Sequence, residues 1–153
     1  VSRPIPDAAV QLGIESEGVK LKSYQDSTGK WTIGVGHLIT PHDHYGPNSV
    51  ITRQEAIDLY KADLAFAGAQ VEHLVKVPLN DNQFAALIDF TFNEGSGSLA
   101  GSTLLKVLNK GDYQKAAGHF AEWNKALNPK TGKLEPLRGL TARRKAEADL
   151  FLS

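Results

Sequence analysis

Residues 13–40, GIESEGVKLKSYQDSTGKWTIGVGHLIT, contain two carboxylates, Glu17 and Asp26, and a hydroxyl, Thr32. That set suits hydrolysis of a glycosidic bond. Such a reaction needs one protonated carboxylic acid to give a proton to the leaving oxygen. It also needs one ionised carboxylate, as nucleophile or as base for a water. Glu17 is the candidate donor, Asp26 the candidate anion, and Thr32 a hydroxyl to hold the water. Asp and Glu are abundant and usually solvated, so the pattern needs support from the elements around it.

Those elements can be read in order. Asp7 is expected to cap a first helix with Val10, Leu12 and Ile14 on its apolar side, stopped by Gly18. Glu17 then falls in the last turn, where the helix dipole disfavours an anion and, with any burial, is expected to raise its pKa. Ser27-Thr28-Gly29-Lys30 signals the turn of a β-hairpin. On the second strand Trp31, Ile33 and Val35 point one way, while Thr32, Gly34 and Gly36 point the other. The glycine face is expected to give a ligand clearance to approach the backbone.

Residues 41–51, with two prolines and a glycine, read as an irregular loop. Thr52 and Glu55 form a capping box that opens a helix carrying Ile57, Tyr60, Leu64 and Val71 to about Leu74. Asn80 and Gln83 open another, apolar around most of its axis through Phe84, Leu87, Ile88 and Phe92, and so expected at a buried centre. EGSGSLAGS reads as a Gly/Ser loop, Ser102 as the start of a short helix, and Asp112 as the cap of a helix carrying Phe120 and Trp123. NPKTGK reads as a turn, and GLTARRKAEADLFL as a final amphipathic helix. The expected fold class is α+β: a small β-hairpin lobe joined by a long helix to a mainly helical lobe. Within one domain of residues 1–153, residues 1–51 form the first lobe, 52–75 the connector and 76–153 the second lobe.

Composition excludes several alternatives. The chain of 153 residues has no cysteine, which removes disulfides, thiolate catalysis and Cys-ligated metal. No run approaches the roughly 20 apolar residues of a membrane span. The start, VSRPIPDAAV, has neither an initiator Met nor the apolar core of a signal peptide, so an upstream segment removed by processing is one expectation. Net charge is zero, yet residues 1–75 hold six Lys/Arg against nine Asp/Glu, and residues 76–153 eleven against eight. A basic second half can steer an acidic polymer, although a solvated surface accounts for so small an imbalance equally well.

Glu17-Gly18, Tyr24, Asp26, Gly29, Trp31-Thr32-Ile33-Gly34 and Gly36-His37 together resemble the signature of the phage-type lysozymes, the endolysin muramidases of glycoside hydrolase family twenty-four. The similarity continues through residues 90–112, FTFNEGSGSLAGSTLLKVLNKGD, and 138–152, RGLTARRKAEADLFL. It implies a lysozyme-like fold and hydrolysis of the β-1,4 bond between N-acetylmuramic acid and N-acetylglucosamine in peptidoglycan, causing host-cell lysis. It further implies that Glu17 is the general acid, that Asp26 and Thr32 position the water, and that the anomeric configuration inverts. Substrate contacts carried over from it are Leu38, Phe92, Asn93, Leu105 and His119, although Leu38, Phe92 and Leu105 read equally as core. The implied protein is a monomer without cofactor, metal or nucleic-acid partner. It would be made in the host cytoplasm and act on the wall in the periplasm or outside.

Several residues keep a second reading. Ser16, where relatives often have a larger residue, is expected to desolvate Glu17 less. Arg143 or Arg144 is expected to reach Glu17 from the last helix, lowering its pKa and tying the lobes together. His37 competes as a catalytic base, but a structural pairing with Asp63 is favoured because buried histidines are usually satisfied. His42, Asp43 and His44 lack the spacing of a closed zinc site, so activity is expected to survive chelation. Three rivals remain: a lytic transglycosylase, which has no use for a base; a chitin-degrading hydrolase; and a non-catalytic wall-binding module, which has no use for Glu17.

Overall fold

The structure is a computed structural model that describes residues 3–153; Val1 and Ser2 of the expected domain lie outside the described residues. The first helix, α1 (Asp7–Glu17), ends at Gly18, whose φ of 72° turns the chain as a left-handed stop. Asp7 is not its cap. The extended Pro6 holds that position without a side-chain bond, and Asp7 is the first helical residue, where its charge meets the positive end of the dipole.

Strands β1 (Lys20–Gln25) and β2 (Trp31–Gly34) form the expected hairpin. A third strand, β3 (His37–Leu38), extends it to an antiparallel sheet of order β1-β2-β3. The sequence gives no sign of that strand because two glycines precede it. Gly34 and Gly36 both take positive φ (69° and 63°), so the chain turns tightly between β2 and β3 instead of running straight. The expected bare face is therefore absent. A Cβ on Gly34 would meet Ala56 and Ile51 of the interior at 3.5 and 3.7 Å, and one on Gly36 would meet the Glu17 carboxyl carbon at 3.0 Å. These glycines make room for a turn and for the Glu17 carboxylate, not for a ligand along a strand.

Helix α2 (Arg53–Leu74) opens with the full Thr52/Glu55 capping box, and α3 (Asp81–Glu94) with that of Asn80 and Gln83. At 22 residues α2 is about 33 Å long. It contributes Ala56 to a small cluster with Ile33 and Ile51, and Tyr60, Leu64, Ala67 and Val71 to the main core. Helix α3 lies at the centre of that core, with Phe84 to Thr91 all buried.

The Gly/Ser stretch is not a loop, because Ser96–Ala100 forms a short helix, α4, nailed by the fully buried Leu99. Ser102 caps α5 (Thr103–Leu108) and Asp112 caps α6 (Tyr113–Gly118). Phe120 sits beyond α6 in a 3-10 turn that Trp123 closes. NPKTGK is the tip of a second hairpin, β4 (Lys125–Asn128) with β5 (Lys133–Pro136), so this half is not purely helical. The last helix, α7 (Arg138–Leu152), buries Arg143, Arg144, Glu147 and Phe151. Its inward face is mostly charged, unlike the apolar face an amphipathic pattern implies.

Candidate active site

Glu17, on the last turn of α1, enters a cavity of about 630 Å³ between the sheet and the helices. Its wall includes Gly36, Leu38, Asp63, Phe66, Phe92 and Asn93. The side chain is about a quarter exposed, with Oε2 accepting from Arg143 Nη1 at 2.5 Å. Oε1 lies over the bare Cα of Gly36, where an added Cβ would stand 3.0 Å away. One carboxylate oxygen is thus gripped and the other faces the cavity wall. Ser16 is exposed and, with Glu17 and Arg143, borders a second depression of about 510 Å³.

Arg143 settles the choice between the two arginines. Its Nε and Nη2 hold both oxygens of Asp89 at 2.9 and 2.8 Å, leaving Nη1 for Glu17. Arg144 instead donates to Glu94, Asn93 and Glu147. Asp89 and Glu147 are both fully buried. Burial pushes the Asp89 carboxyl up, but the bonds from Arg143 and Glu147 more than reverse this and leave it lowered. Glu147 goes the other way, driven well above the usual carboxylate range by burial and by its bond to Asp89. Two guanidiniums face four carboxyls here, so of the two fully buried acids Asp89, held by Arg143 through both oxygens, is the one stabilised as an anion, and the Glu147 carboxyl is pushed the other way.

Neither Asp89 nor Glu147 was among the sequence candidates. The available signal was Asp89 itself, a carboxylate in the middle of the most apolar helix, where an anion requires a cation.

Asp26 occupies the β1–β2 turn. Its Oδ1 accepts three bonds, from the Thr28 hydroxyl (2.7 Å), the Thr28 N–H (2.8 Å) and the Lys30 N–H (3.0 Å). The Thr28 hydroxyl and the Lys30 N–H hold its carboxyl below the usual range. Its Oδ2 takes no bond among the described residues, so one oxygen is anchored and the other is open. Thr32 is buried, 6% exposed, and its hydroxyl donates to the Lys30 carbonyl at 3.2 Å. Asp26 and Thr32 are therefore both tied to Lys30, one through its N–H and one through its C=O.

Tyr24 lies directly across from Thr32 in the sheet. Burial first, then the charges of Glu17 and Asp26, raise its pKa. Glu17 lines the cavity, whereas Asp26 and Thr32, on the hairpin, are not on its wall.

Among the other candidates, Leu38, Phe92 and Asn93 line the cavity. Phe92 packs edge-on against the buried Tyr60 at 5.2 Å. Asn93 accepts a hydrogen bond from Arg144 through its amide oxygen. Leu105 and His119 are not on the cavity wall. Leu105 is buried in the main core, because its position on α5 faces inward, and His119 is held against Glu122 at 2.7 Å.

His37 bonds Asp63 at 2.7 Å, as expected for a structural role, and also Asp43 at 3.0 Å. The bond to Asp63 raises its pKa against the opposing effect of burial, with Asp43 adding. Asp43 also accepts from the Thr40 backbone at 2.7 Å. It is therefore a pin for the loop, flanked by the exposed His42 and His44. Among the described residues no group of three or more His, Cys, Asp or Glu is arranged to hold a metal.

Comparison with known proteins matches this arrangement to a family. Residues 14–147 match the family described as Phage lysozyme. The chain is 43% identical over 137 residues to the endolysin of Acyrthosiphon pisum secondary endosymbiont phage 1, covering 90% of each. It superposes with a TM-score of 0.91 on the endolysin from Escherichia coli O157:H7 phage FAHEc1, at 31% identity over 99% of this chain and 94% of that one. The muramidase domain of SpmX from Asticaccaulis excentricus gives 0.88 at 33% identity, covering 97% of each.

Proposed function

The chain belongs to the phage lysozyme family, and from that premise we propose that Glu17, Asp26 and Thr32 carry out its reaction by inversion. The protein is a glycoside hydrolase that degrades peptidoglycan. The bond cut is the β-1,4 linkage between N-acetylmuramic acid and N-acetylglucosamine. A glycan strand lies in the cavity that Glu17 enters. Oε1 of Glu17 carries the proton to the leaving glycosidic oxygen while Arg143 holds Oε2. The open Oδ2 of Asp26 takes a proton from a water on the opposite face of the sugar, and a lone pair of the Thr32 hydroxyl accepts the water's other hydrogen. An inverting enzyme leaves room for that water by keeping its carboxyl groups ~6.5–9.5 Å apart.

The observation that carries this reading is the state of Asp26. It is anchored through one oxygen by three donors and kept ionised, with its second oxygen open. A lytic transglycosylase has no role for such a group. Leu38, Phe92 and Asn93 line the bound glycan. The reaction needs no cofactor, and a monomer suffices because both carboxylates come from one chain. The protein is made in the host cytoplasm and acts on the cell wall; among the described residues no helix is long and apolar enough to cross a membrane.

Turbidity loss of purified peptidoglycan by the parent, Glu17→Gln and Asp26→Asn proteins tests the roles. Both variants are expected to lose at least ~100-fold in rate while remaining folded. Released fragments should carry reducing ends of inverted configuration. Anhydro ends, or a Glu17→Gln protein as active as the parent, would refute the proposal.

A further inference from the structure

On α2, Asp63, Phe66, Ala67 and Gln70 recur at spacings of three and four, which puts them on one helical face. All four line the cavity that Glu17 enters. Two are already committed, since Asp63 holds His37 and Ala67 is buried in the core. Phe66 has no such role. Its side chain is 70% exposed, and it belongs to neither hydrophobic cluster.

An exposed phenylalanine by itself is ordinary, but this one is placed inside a concave site. Leu38, 46% exposed, and the partly buried Phe92 line the same cavity. Gln70, Asn93 and Ser96 supply polar groups there. A few polar groups set into an apolar wall are the make-up of a small-ligand site. A pyranose ring matches it, because its axial C–H bonds make an apolar face and its hydroxyl and acetamido groups make a polar rim. The electron-rich face of an aromatic ring attracts such C–H groups.

We propose that Phe66 is a stacking platform for an N-acetylated sugar, and that with Gln70 it makes a saccharide subsite along α2. The subsite extends the glycan site beyond the residues carried over from relatives. It rests on the reading that the cavity holds a glycan, and deepens it by naming which wall grips a ring that is not being cut. Because the Phe66 ring is hydrocarbon and can neither donate nor accept a proton, its loss should weaken binding without slowing chemistry.

The test uses Phe66→Ala, Phe66→Trp and Gln70→Ala against purified peptidoglycan. Phe66→Ala is expected to raise KM about 5- to 10-fold, the worth of one aromatic contact. Its kcat should stay within twofold and its melting temperature should not change, since the ring is exposed. Phe66→Trp should restore KM. Calorimetric titration of soluble, peptide-bearing glycan fragments into Glu17→Gln, with and without Phe66→Ala, reads the same loss with hydrolysis switched off. Unchanged affinity and KM in Phe66→Ala would overturn the subsite, as would a fall in kcat with KM intact. Failure of the underlying reading shows elsewhere, as undiminished turnover by Glu17→Gln.

Discussion

Replacement of Arg143 by Met tests how far the buried ionic cluster underlies both fold and site. The substitution keeps an unbranched chain of similar length but removes a guanidinium that makes two bonds to Asp89 and one to Glu17. Asp89 is fully buried, so the change strands a carboxylate in the interior beside Glu147. Breaking a buried pair from one side costs about 3–5 kcal/mol, because the remaining charge has no compensation. For a chain of this size each kcal/mol moves the melting temperature by roughly 2–4 °C, so a fall of about 6–20 °C is expected.

The loss should also depend on pH. The folded-state pKa of Asp89 is depressed, so its contribution is present above the unfolded carboxylate value of ~3.9 and disappears as pH falls through the folded value. The gap between parent and variant is therefore widest near neutrality and narrows below about pH 4. Adding Asp89→Asn to Arg143→Met removes the stranded charge and should recover about 1–3 kcal/mol, a coupling typical of contacting residues. Thermal and urea unfolding followed by circular dichroism at pH 7 and pH 3.5 measure all four corners of this cycle. A single-variant cost under about 1 kcal/mol, or a double variant equal to the sum of the singles, would refute the reasoning.

Two further predictions concern residues near the cleft. Asp63→Asn should lower stability while leaving turnover per folded molecule largely intact. The pKa of His37 is raised, so the stability it contributes is full below about pH 6.5 and is lost as pH rises through its folded value. The variant's deficit should accordingly shrink on the alkaline side, and collapse of turnover in folded protein would instead make His37 catalytic. Gly36→Ala must accept a left-handed backbone at about 1–2 kcal/mol, with its methyl 3.0 Å from the Glu17 carboxyl. Peptidoglycan turnover should fall roughly 10- to 100-fold, as expected when a reacting group is displaced; parent-like turnover would show that Glu17 is not held against this turn.

Most local signals were legible in the sequence, whereas of the long-range contacts only those implied by the family resemblance, His37 with Asp63 and an arginine of the last helix with Glu17, were expected. Thr52 with Glu55 and Asn80 with Gln83 announce their helices because both partners of a capping box lie within one turn. The chain near Ser96 reads as a loop, since glycine and serine are poor helix formers, yet burial of Leu99 overrides that preference. The β4–β5 hairpin is hidden for a related reason: Lys, Asn, Glu and Pro are weak strand formers, and its two strands pair only with each other. Glu17, Asp26 and Thr32 stand close in sequence and share a recognisable motif. Asp89 and Glu147 lie 72 and 130 positions beyond Glu17 by residue number, and only the packed helices bring them to Arg143. The glycines at 34 and 36 were visible, but their purpose depended on dihedral angles that a straight strand conceals.

Glu17 and Arg143 are 126 positions apart, and that separation sets an order of events in time. Contacts between distant parts of a chain form late, after the loop between them has closed. During synthesis the hairpin and α2 are complete long before α7 exists, and until it docks Asp89 lacks its cation and Glu17 its grip. A nascent chain, or one cut before residue 138, therefore carries Glu17, Asp26 and Thr32 but lacks the guanidinium that holds the Glu17 carboxylate. The grip on Glu17 arrives only with the last helix, and removal of that helix is expected to leave the Glu17 carboxylate as unanchored as removal of the Arg143 side chain alone.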